Sequence, residues 1–399
     1  MSNAACFDDR QQMGRRWPIG CVALEITQRC NLDCSLCYLS ENSASVKDIP
    51  LEEIFRRIDL IRAHYGPNTD VQITGGEPTL RRRDELVAIV RRVRESGLRP
   101  TLMTNGRRAT RALLEELANA GLMDVAFHVD TTQGDKRYRT EEALNDVRAE
   151  YLRRVLGLPL SVMFNTTVFE GNLEEVPGLV RFFVANARSI RTVSFQPQAA
   201  TGRGSHNKEL GISLVMVTSR IEKGVGIGIN FDATRVGHPQ CNRYGLCMVV
   251  NGQSCDLLDD GALVSRFQRA TAHIPFDRAY PRATAIRLLG WLSGRPAYWG
   301  DVLTWTAKKT WAMRRQLLSA RGRAHTLSFF VHGFMDASAL ERERIDACVF
   351  KVMTGDGPLS MCLHNARRDA FILQPVRVHR PEGVRFWQPF SGNFRRAPG

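Results

Sequence analysis

The sequence carries no charged-then-apolar leader, since Met1 to Gly20 is polar and arginine-rich, and no apolar run long enough to cross a bilayer. A cytoplasmic protein is therefore expected, one that at most touches the inner face of a membrane. Internal repeats and low-complexity tracts are also missing, which leaves an ordinary folded chain. Acidic residues are scarce: 41 Asp and Glu face 55 Lys and Arg, for a net charge of +14. Such an excess suits nucleic acid, an anionic membrane surface or a phosphorylated substrate, and it equally suits solvated helix faces. The arginines at 81–83, 91–92, 153–154 and 314–315 stand beside apolar residues at helical spacing, as from Leu86 to Val93. No RNA-recognition aromatic signature or finger spacing accompanies them, so no nucleic-acid partner is expected.

What the chain does have is a core and cysteines. With 399 residues and 43% hydrophobic content it can bury a large interior. Ten cysteines without an export signal read as metal ligands and buried thiols rather than as a disulfide framework. Three of them, Cys30, Cys34 and Cys37, fall within eight residues. Three thiolates in one loop can hold three irons of a cubane and leave the fourth open, whereas electron-transfer clusters are closed by a fourth cysteine. A zinc knuckle or a redox pair is the competing reading, but structural zinc asks for four ligands and usually two separated pairs.

From residue 17 to 205, short apolar runs alternate with amphipathic stretches, the pattern of strand and helix units in a parallel sheet. Strands are predicted at residues 22–27, 70–74, 99–104, 124–129, 160–165 and 192–196. Helices are predicted near 51–64, 84–96, 110–120, 141–156 and 173–186. Six repeats fall short of a closed barrel, so the predicted fold is α/β, a partial (β/α)6 barrel with a C-terminal mixed α/β extension that carries an auxiliary metal site. The expected organisation is a tail over 1–16, the barrel over 17–205, a post-barrel segment over 206–280 with a helix from Leu210 to Lys223 and a hairpin turning at Asn251-Gly252, a Trp- and Arg-rich helical segment over 281–325, and a last segment over 326–399 whose end, after Arg377, is a loose tail.

Chemistry in such folds lies at the carboxyl ends of the strands. There the run Thr74-Gly75-Gly76-Glu77-Pro78 offers a backbone that a ligand can approach closely, with Glu77 as an acceptor. A Gly-Gly turn after a strand is common, and its weight comes from following the cysteine loop by one strand.

Together, Cys30-x3-Cys34-x2-Cys37 and Gly75-Gly76-Glu77-Pro78 resemble the radical S-adenosylmethionine (SAM) superfamily over roughly half the chain. The resemblance implies a [4Fe-4S] cluster in the first loop, with the amino and carboxylate groups of S-adenosylmethionine on the open iron. It implies that Gly75, Gly76 and Glu77 hold the methionine amino group, that Asn105, Asp130 and Asn165 make polar contacts to ribose and carboxylate, and that Gln196 faces the adenine. The family commonly has an aromatic residue directly before the third cysteine; here Leu36 stands there and Tyr38 follows, so Tyr38 is the aromatic candidate. The implied chemistry is reductive cleavage to a deoxyadenosyl radical, which abstracts hydrogen from an unactivated carbon, with an electron donor such as flavodoxin or ferredoxin.

Further cysteines suggest more metal. Cys241, Cys247, Cys348 and Cys362 could converge on an auxiliary [4Fe-4S] cluster, with Cys255 as a substitute; the alternative is buried free thiols. Cys6 and Cys21 read as bystanders. The segments around Cys241, His332 to Asp336, Cys348 and Cys362 to Asn365 resemble the branch holding tetraether lipid synthase and the pterin-methylating radical enzymes, which implies alkylation or carbon-carbon bond formation on a lipid-like or pterin-like small molecule. His332 and Asp336 are candidates near that site. A peptide-modifying radical enzyme, and a non-catalytic iron-sulfur redox sensor or nucleic-acid-binding protein, are the alternatives. The segment from Ala283 to Arg323, with Trp291, Trp299, Trp305 and Trp311 among arginines, suits either an anionic membrane surface or lipid-lined channel, or an internal helical cap over the barrel mouth, and the cap is preferred.

Overall fold

The computed structural model describes residues 19–206, 211–277, 280–381 and 383–396. The expected tail over 1–16, Cys6, Trp17 and the start of the predicted helix at Leu210 lie outside them. Six strands follow one another in a parallel sheet: β1 (Cys21–Thr27), β2 (Asp70–Gly75), β3 (Arg99–Thr104), β4 (Asp124–His128), β5 (Ser161–Val168) and β6 (Ile190–Pro197). Between them run α1 (Leu51–Tyr65), α2 (Arg83–Glu95), α3 (Arg111–Asn119), α4 (Asn145–Val155) and α5 (Val176–Ala185). α6 (Leu214–Val225) follows and packs beside α5.

The period-2 alternation of β1 sorts its side chains. Val22, Leu24 and Ile26 join the core beneath the helices, which leaves Ala23, Glu25 and Thr27 on the opposite, inner face. α2 shows why the arginine excess needs no partner along much of this surface. Its Leu86, Val87, Ile89, Val90 and Val93 are buried, at roughly 1.5–3 kcal/mol for each large aliphatic side chain, while its arginines flank that stripe. In the triplet 81–83, Arg81 is itself buried, its guanidinium on Glu85 and on the carbonyls of Ile26 and Ile49, so it braces the end of β1.

The sheet is wider than six strands. β7 (Asn242–Val250) and β8 (Gln253–Asp256) form the expected hairpin, whose Asn251 and Gly252 both take positive φ, as the short turn requires. β9 (His325–His332) pairs parallel with β6 on one side and antiparallel with β7 on the other. At the opposite edge β10 (Phe350–Thr354) pairs parallel with β1 and carries β11 (Gly357–Ser360). Eight parallel strands therefore run in the order β10-β1-β2-β3-β4-β5-β6-β9. Strand tilt and stagger bring the start of β10 to the end of β9: the Phe350 ring lies 4.4 Å from His332 and 5.8 Å from Phe330, centroid to centroid. The extension meets the far edge of the barrel through side chains, with no hydrogen-bonded ladder between β9 and β10 among the described residues.

Helices α7 (Gly261–Ala270), α8 (Pro281–Ser293), α9 (Trp299–Ala312) and α10 (Arg314–Ser319) are inserted between β8 and β9. They lie at the amino ends of the strands. Asn68, just before β2, donates to the Phe276 carbonyl, and the hairpin tip donates from Asn251 to Ser319. The preferred expectation of a cap over the barrel mouth is thereby corrected, because β7 runs antiparallel to β9 and carries the hairpin tip, which meets the insertion at Ser319, to the opposite end. A lipid-lined channel to the mouth fails on the same ground. After α11 (Arg342–Asp346), the short helices α12 (Met361–Ala366) and α13 (Arg368–Ile372) lead to a meander of β12 (Val376–Arg380), β13 (Gly383–Trp387) and β14 (Phe394–Arg396). The loose tail expected after Arg377 is thus a three-stranded sheet, packed through Val378 and Trp387 against Val46 and Ile372.

Candidate functional site

The cysteine loop leaves β1 and is fastened from three directions. From β2, Gly76 N–H donates to the Thr27 carbonyl at 2.9 Å and Glu77 N–H to the Arg29 carbonyl at 2.8 Å, so the Gly-Gly turn runs alongside the approach to Cys30. A Cβ on Gly75, whose φ is +126°, would stand 2.0 Å from the Thr27 oxygen, and one on Gly76 would stand 2.1 Å from the Arg29 oxygen. Only glycine permits this approach. From the turn after β4, the Thr132 carbonyl accepts from Ser35 N–H. From the turn after β6, Gly204 N–H donates to the Cys37 carbonyl, and Arg203 places Nη1 2.6 Å from the Asp33 carboxylate and Nη2 3.2 Å from the Cys37 sulfur. Arg203 was missed in the sequence, where only the Gly-Arg-Gly spacing after a strand end could have pointed to it.

Burial pushes the Cys34 thiol well above its ordinary range, with Asp130 and the other two cysteines adding to the effect, and burial also raises Cys30. Bare thiolates at Cys30 and Cys34 are costly here, and cationic irons would reverse that cost. Among the described residues no three His, Cys, Asp or Glu side chains are grouped to hold a single metal ion. A cubane asks for something else, one thiolate on each of three separate irons. The donor set and its glycine-lined, arginine-capped setting fit such a cluster.

The remaining candidates divide by how much of each is already bound. Glu77 is 1% exposed, and its carboxylate accepts from Thr79 N–H, Thr79 Oγ1, Thr104 Oγ1 and Asn105 N–H. It staples the end of β2 to the end of β3, which corrects the expectation that its side chain is a ready acceptor; the backbone of the turn remains. Pro78 opens the short helical turn that Glu77 caps. Asn105 donates through Nδ2 to Asn31 in the cysteine loop. Asp130 accepts from Thr132, Thr167 N–H and His128 Nε2, the last at 2.7 Å. Burial opposes its charge, yet His128 and these donors hold the carboxyl down at about 2, so Asp130 is an anchor rather than a free contact. Asn165 is 4% exposed and Gln196 half-buried, and neither side chain is bonded to another described residue. These two are the freest polar groups at the strand ends.

Tyr38 donates its hydroxyl to the Gly75 carbonyl at 2.6 Å, and the Arg368 guanidinium lies 4.8 Å from its ring centre. Arg368, 2% exposed, reaches in from α13 and pairs with both oxygens of Glu25 at 2.8 and 2.9 Å, while also holding Gln28 and Asn365. The C-terminal segment is thereby wired to the cysteine loop and to the Gly-Gly turn. Neither Arg368 nor Glu25 was legible as a pair, since 343 positions separate them.

The second group of cysteines is rearranged relative to expectation. Cys241, Cys348 and Cys362 lie in electrostatic reach of one another at the β9–β10 seam. Cys241 receives Arg344 Nε at 3.2 Å, and Cys362 receives Met335 N–H at 3.4 Å. Cys247 does not join them: it sits near the far end of β7, opposite Leu327 and Asp256, where burial pushes its thiol up to about 12. Cys255 is on the same hairpin and is excluded as a substitute for the same reason. Cys21, expected to be a bystander, is buried at the start of β1 within electrostatic reach of Cys348. His332 is buried among Phe330, Phe334 and Phe350, and burial, with Arg344 adding, takes its imidazole down to about 3, so it stays neutral beside the three thiols. Asp336 is exposed and accepts from Ala200 N–H at 2.6 Å, which makes it a loop tie and removes it from the seam's chemistry.

Residues 24–183 match the Radical SAM superfamily. Over 187 residues the chain is 30% identical to a 7,8-dihydro-6-hydroxymethylpterin dimethyltransferase of Methanocaldococcus jannaschii, covering 45% of this chain and 36% of that protein. A PqqA peptide cyclase of Bradyrhizobium diazoefficiens is 33% identical over 46% of this chain and 49% of its own length. Streptococcus suis SuiB, solved with its precursor peptide SuiA, is 19% identical over 51% of this chain and 46% of that chain, with a TM-score of 0.39. The chain spans about half or less of the length of these relatives.

Proposed function

From the premise that residues 24–183 are a domain of the radical SAM superfamily, we propose that the chain functionalises an unactivated carbon of a pterin-like or lipid-like small molecule, by alkylation or carbon-carbon bond formation. The observation that carries the enzyme reading is the cysteine loop zipped to the Gly75-Gly76 turn, which sets three thiols beside a glycine backbone that carries no side chain. Bound there, a [4Fe-4S] cluster with S-adenosylmethionine supplies, on one-electron reduction, a radical able to take hydrogen from such a carbon. Cys30, Cys34 and Cys37 would hold the cluster, and the backbone at Gly75 and Gly76 would meet the methionine amino group. Asn165 and Gln196 remain free to orient the nucleoside. Arg203, donating to Cys37, tunes the cluster's charge, and the Arg368–Tyr38 contact keeps the turn in register with the loop. A small one-electron donor such as flavodoxin or ferredoxin would deliver the electron.

The pterin reading draws support from the likeness to the pterin dimethyltransferase, and an auxiliary cluster from the group Cys241, Cys348 and Cys362, with Cys21 replacing Cys247 as the further ligand. Anaerobic incubation of the reduced holoprotein with a dihydropterin and methyl-deuterated S-adenosylmethionine tests the alkylation, in which one molecule would be cleaved to deoxyadenosine and methionine and a second would give up its methyl group and leave as S-adenosylhomocysteine, the electron donor supplying one electron for each. Deuterium in the pterin is the expected result; cofactor cleavage with no label transferred would sink it. The likeness to the PqqA peptide cyclases favours a second reading, a peptide substrate, for which cross-linked peptide product would be the readout.

A further inference from the structure

Helices α8, α9 and α10 turn large apolar side chains outward. Ile286, Leu289, Leu303, Trp311 and Leu318 are each 65–80% exposed, and Trp299 is 49% exposed. Ile286 and Leu289 share one face of α8, and Trp299, Leu303 and Trp311 recur along one face of α9. The two faces adjoin, because the Trp299 indole donates to the Leu292 carbonyl at 2.9 Å. The opposite sides of the same helices are satisfied inward: Trp291 and Met313 are buried, and Lys309 reaches the Asp256 carbonyl and pairs with Asp259. The outward apolar surface is thus not the helices' own packing face.

Charge decides what covers it. Between residues 281 and 323 stand Arg282, Arg287, Arg295, Arg314, Arg315, Arg321 and Arg323 against a single acid, Asp301, which is paired with Arg266, while Lys308 and Lys309 are held by Asp259. A second copy would bring the same positive face against itself. Nucleic acid would answer the arginines and leave Ile286, Leu289, Leu303 and Leu318 without a partner. Tryptophan and leucine at the level of lipid headgroups, rimmed by arginine, are answered together by an anionic bilayer surface.

We propose that the outward face of α8–α10 docks on an anionic membrane surface, with Trp299, Leu303, Trp311 and Leu318 entering the headgroup layer and the arginines meeting lipid phosphate. This does not rest on the proposed reaction. The face is at the amino ends of the barrel strands, opposite the cysteine loop, so docking anchors the protein and leaves the barrel mouth turned to water.

The test is co-sedimentation of the full chain with vesicles of phosphatidylglycerol and phosphatidylcholine in equal parts, against vesicles of phosphatidylcholine alone. Expected are binding to the first and not the second, a blue shift of tryptophan emission on binding, and release by high salt. Arg282→Ala with Arg315→Ala should weaken binding by roughly fivefold for each charge removed. Leu303→Ser, Trp311→Ser and Leu318→Ser together should abolish it, with circular dichroism and S-adenosylmethionine binding unchanged to show that the variants fold. No binding to anionic vesicles, or equal binding to both kinds, overturns the proposal. So does a concentration-dependent dimer lost in the triple serine variant, or nucleic-acid binding lost in the arginine variant.

Discussion

Replacing Arg368 by Met should cost the protein about 3 kcal/mol at neutral pH. Glu25 and Arg368 are both buried, and burial alone would raise the Glu25 carboxyl; the guanidinium first, with His364 and Gln28 adding, more than offsets this and holds it at about 2, against an ordinary 4.5. That difference, at about 1.4 kcal/mol per pH unit, is about 3 kcal/mol. An independent route gives the same size, since orphaning one member of a buried pair typically costs about 3–5 kcal/mol. The sign in pH follows from the depression: the pair's contribution is full above pH 4.5 and is lost as pH falls from there toward 2. In Arg368→Met the orphaned carboxyl is raised by burial, so that variant should gain stability as pH drops from 7 toward 5 while the parent does not. Urea denaturation between pH 5 and 8 reads both effects, and Glu25→Gln with Arg368→Met should recover much of the loss. A single mutant within about 0.5 kcal/mol of the parent at pH 7, with a parallel pH profile, would refute the reasoning.

The glycine turn gives a second prediction: Gly75→Ala places a Cβ against the Thr27 carbonyl at positive φ, so S-adenosylmethionine affinity by equilibrium dialysis should fall at least about tenfold with secondary structure kept. Arg203→Met removes a charged donor from Cys37 and should lower the cluster's reduction potential in an anaerobic titration while iron content holds; an unchanged potential would show that the contact does not tune the cluster. Cys348→Ala with Cys362→Ala should reduce the iron and sulfide count of the anaerobically purified protein, whereas Cys247→Ala should leave it intact, because Cys247 lies on the other end of β7. If Cys247→Ala loses as much iron as the double variant, the seam assignment fails.

Much of the barrel was legible because it is built from local signals. Strand runs such as Asp124 to His128 and the amphipathic stripe of α2 carry their period in sequence, and each lies close to where it was expected. The same holds for the hairpin, whose Asn251-Gly252 turn fixes its own geometry. What stayed hidden is set by long-range pairing. Nothing in residues 350–354 says that they extend β1 rather than form a separate unit, and nothing near Cys247 says that its strand runs antiparallel and carries it away from Cys241. The meander after Arg377 was hidden because short, arginine-interrupted strands lack a clean alternation. At the site, residue type suggested ligands but not their occupancy. By residue type alone Glu77 and Asp130 are open acceptors, whereas in the fold Thr79, Thr104, Thr132 and Thr167 donate to them.

The central claim is that the loop of Cys30, Cys34 and Cys37 and the turn at Gly75 together support reductive cleavage of S-adenosylmethionine. The direct measurement is the yield of 5′-deoxyadenosine from anaerobically reconstituted, dithionite-reduced protein, with iron content and bound cofactor determined on the same sample. Deoxyadenosine from the parent, with none from Cys34→Ala, is the predicted result. A parent sample with its iron in place and S-adenosylmethionine bound that forms no deoxyadenosine would contradict the account.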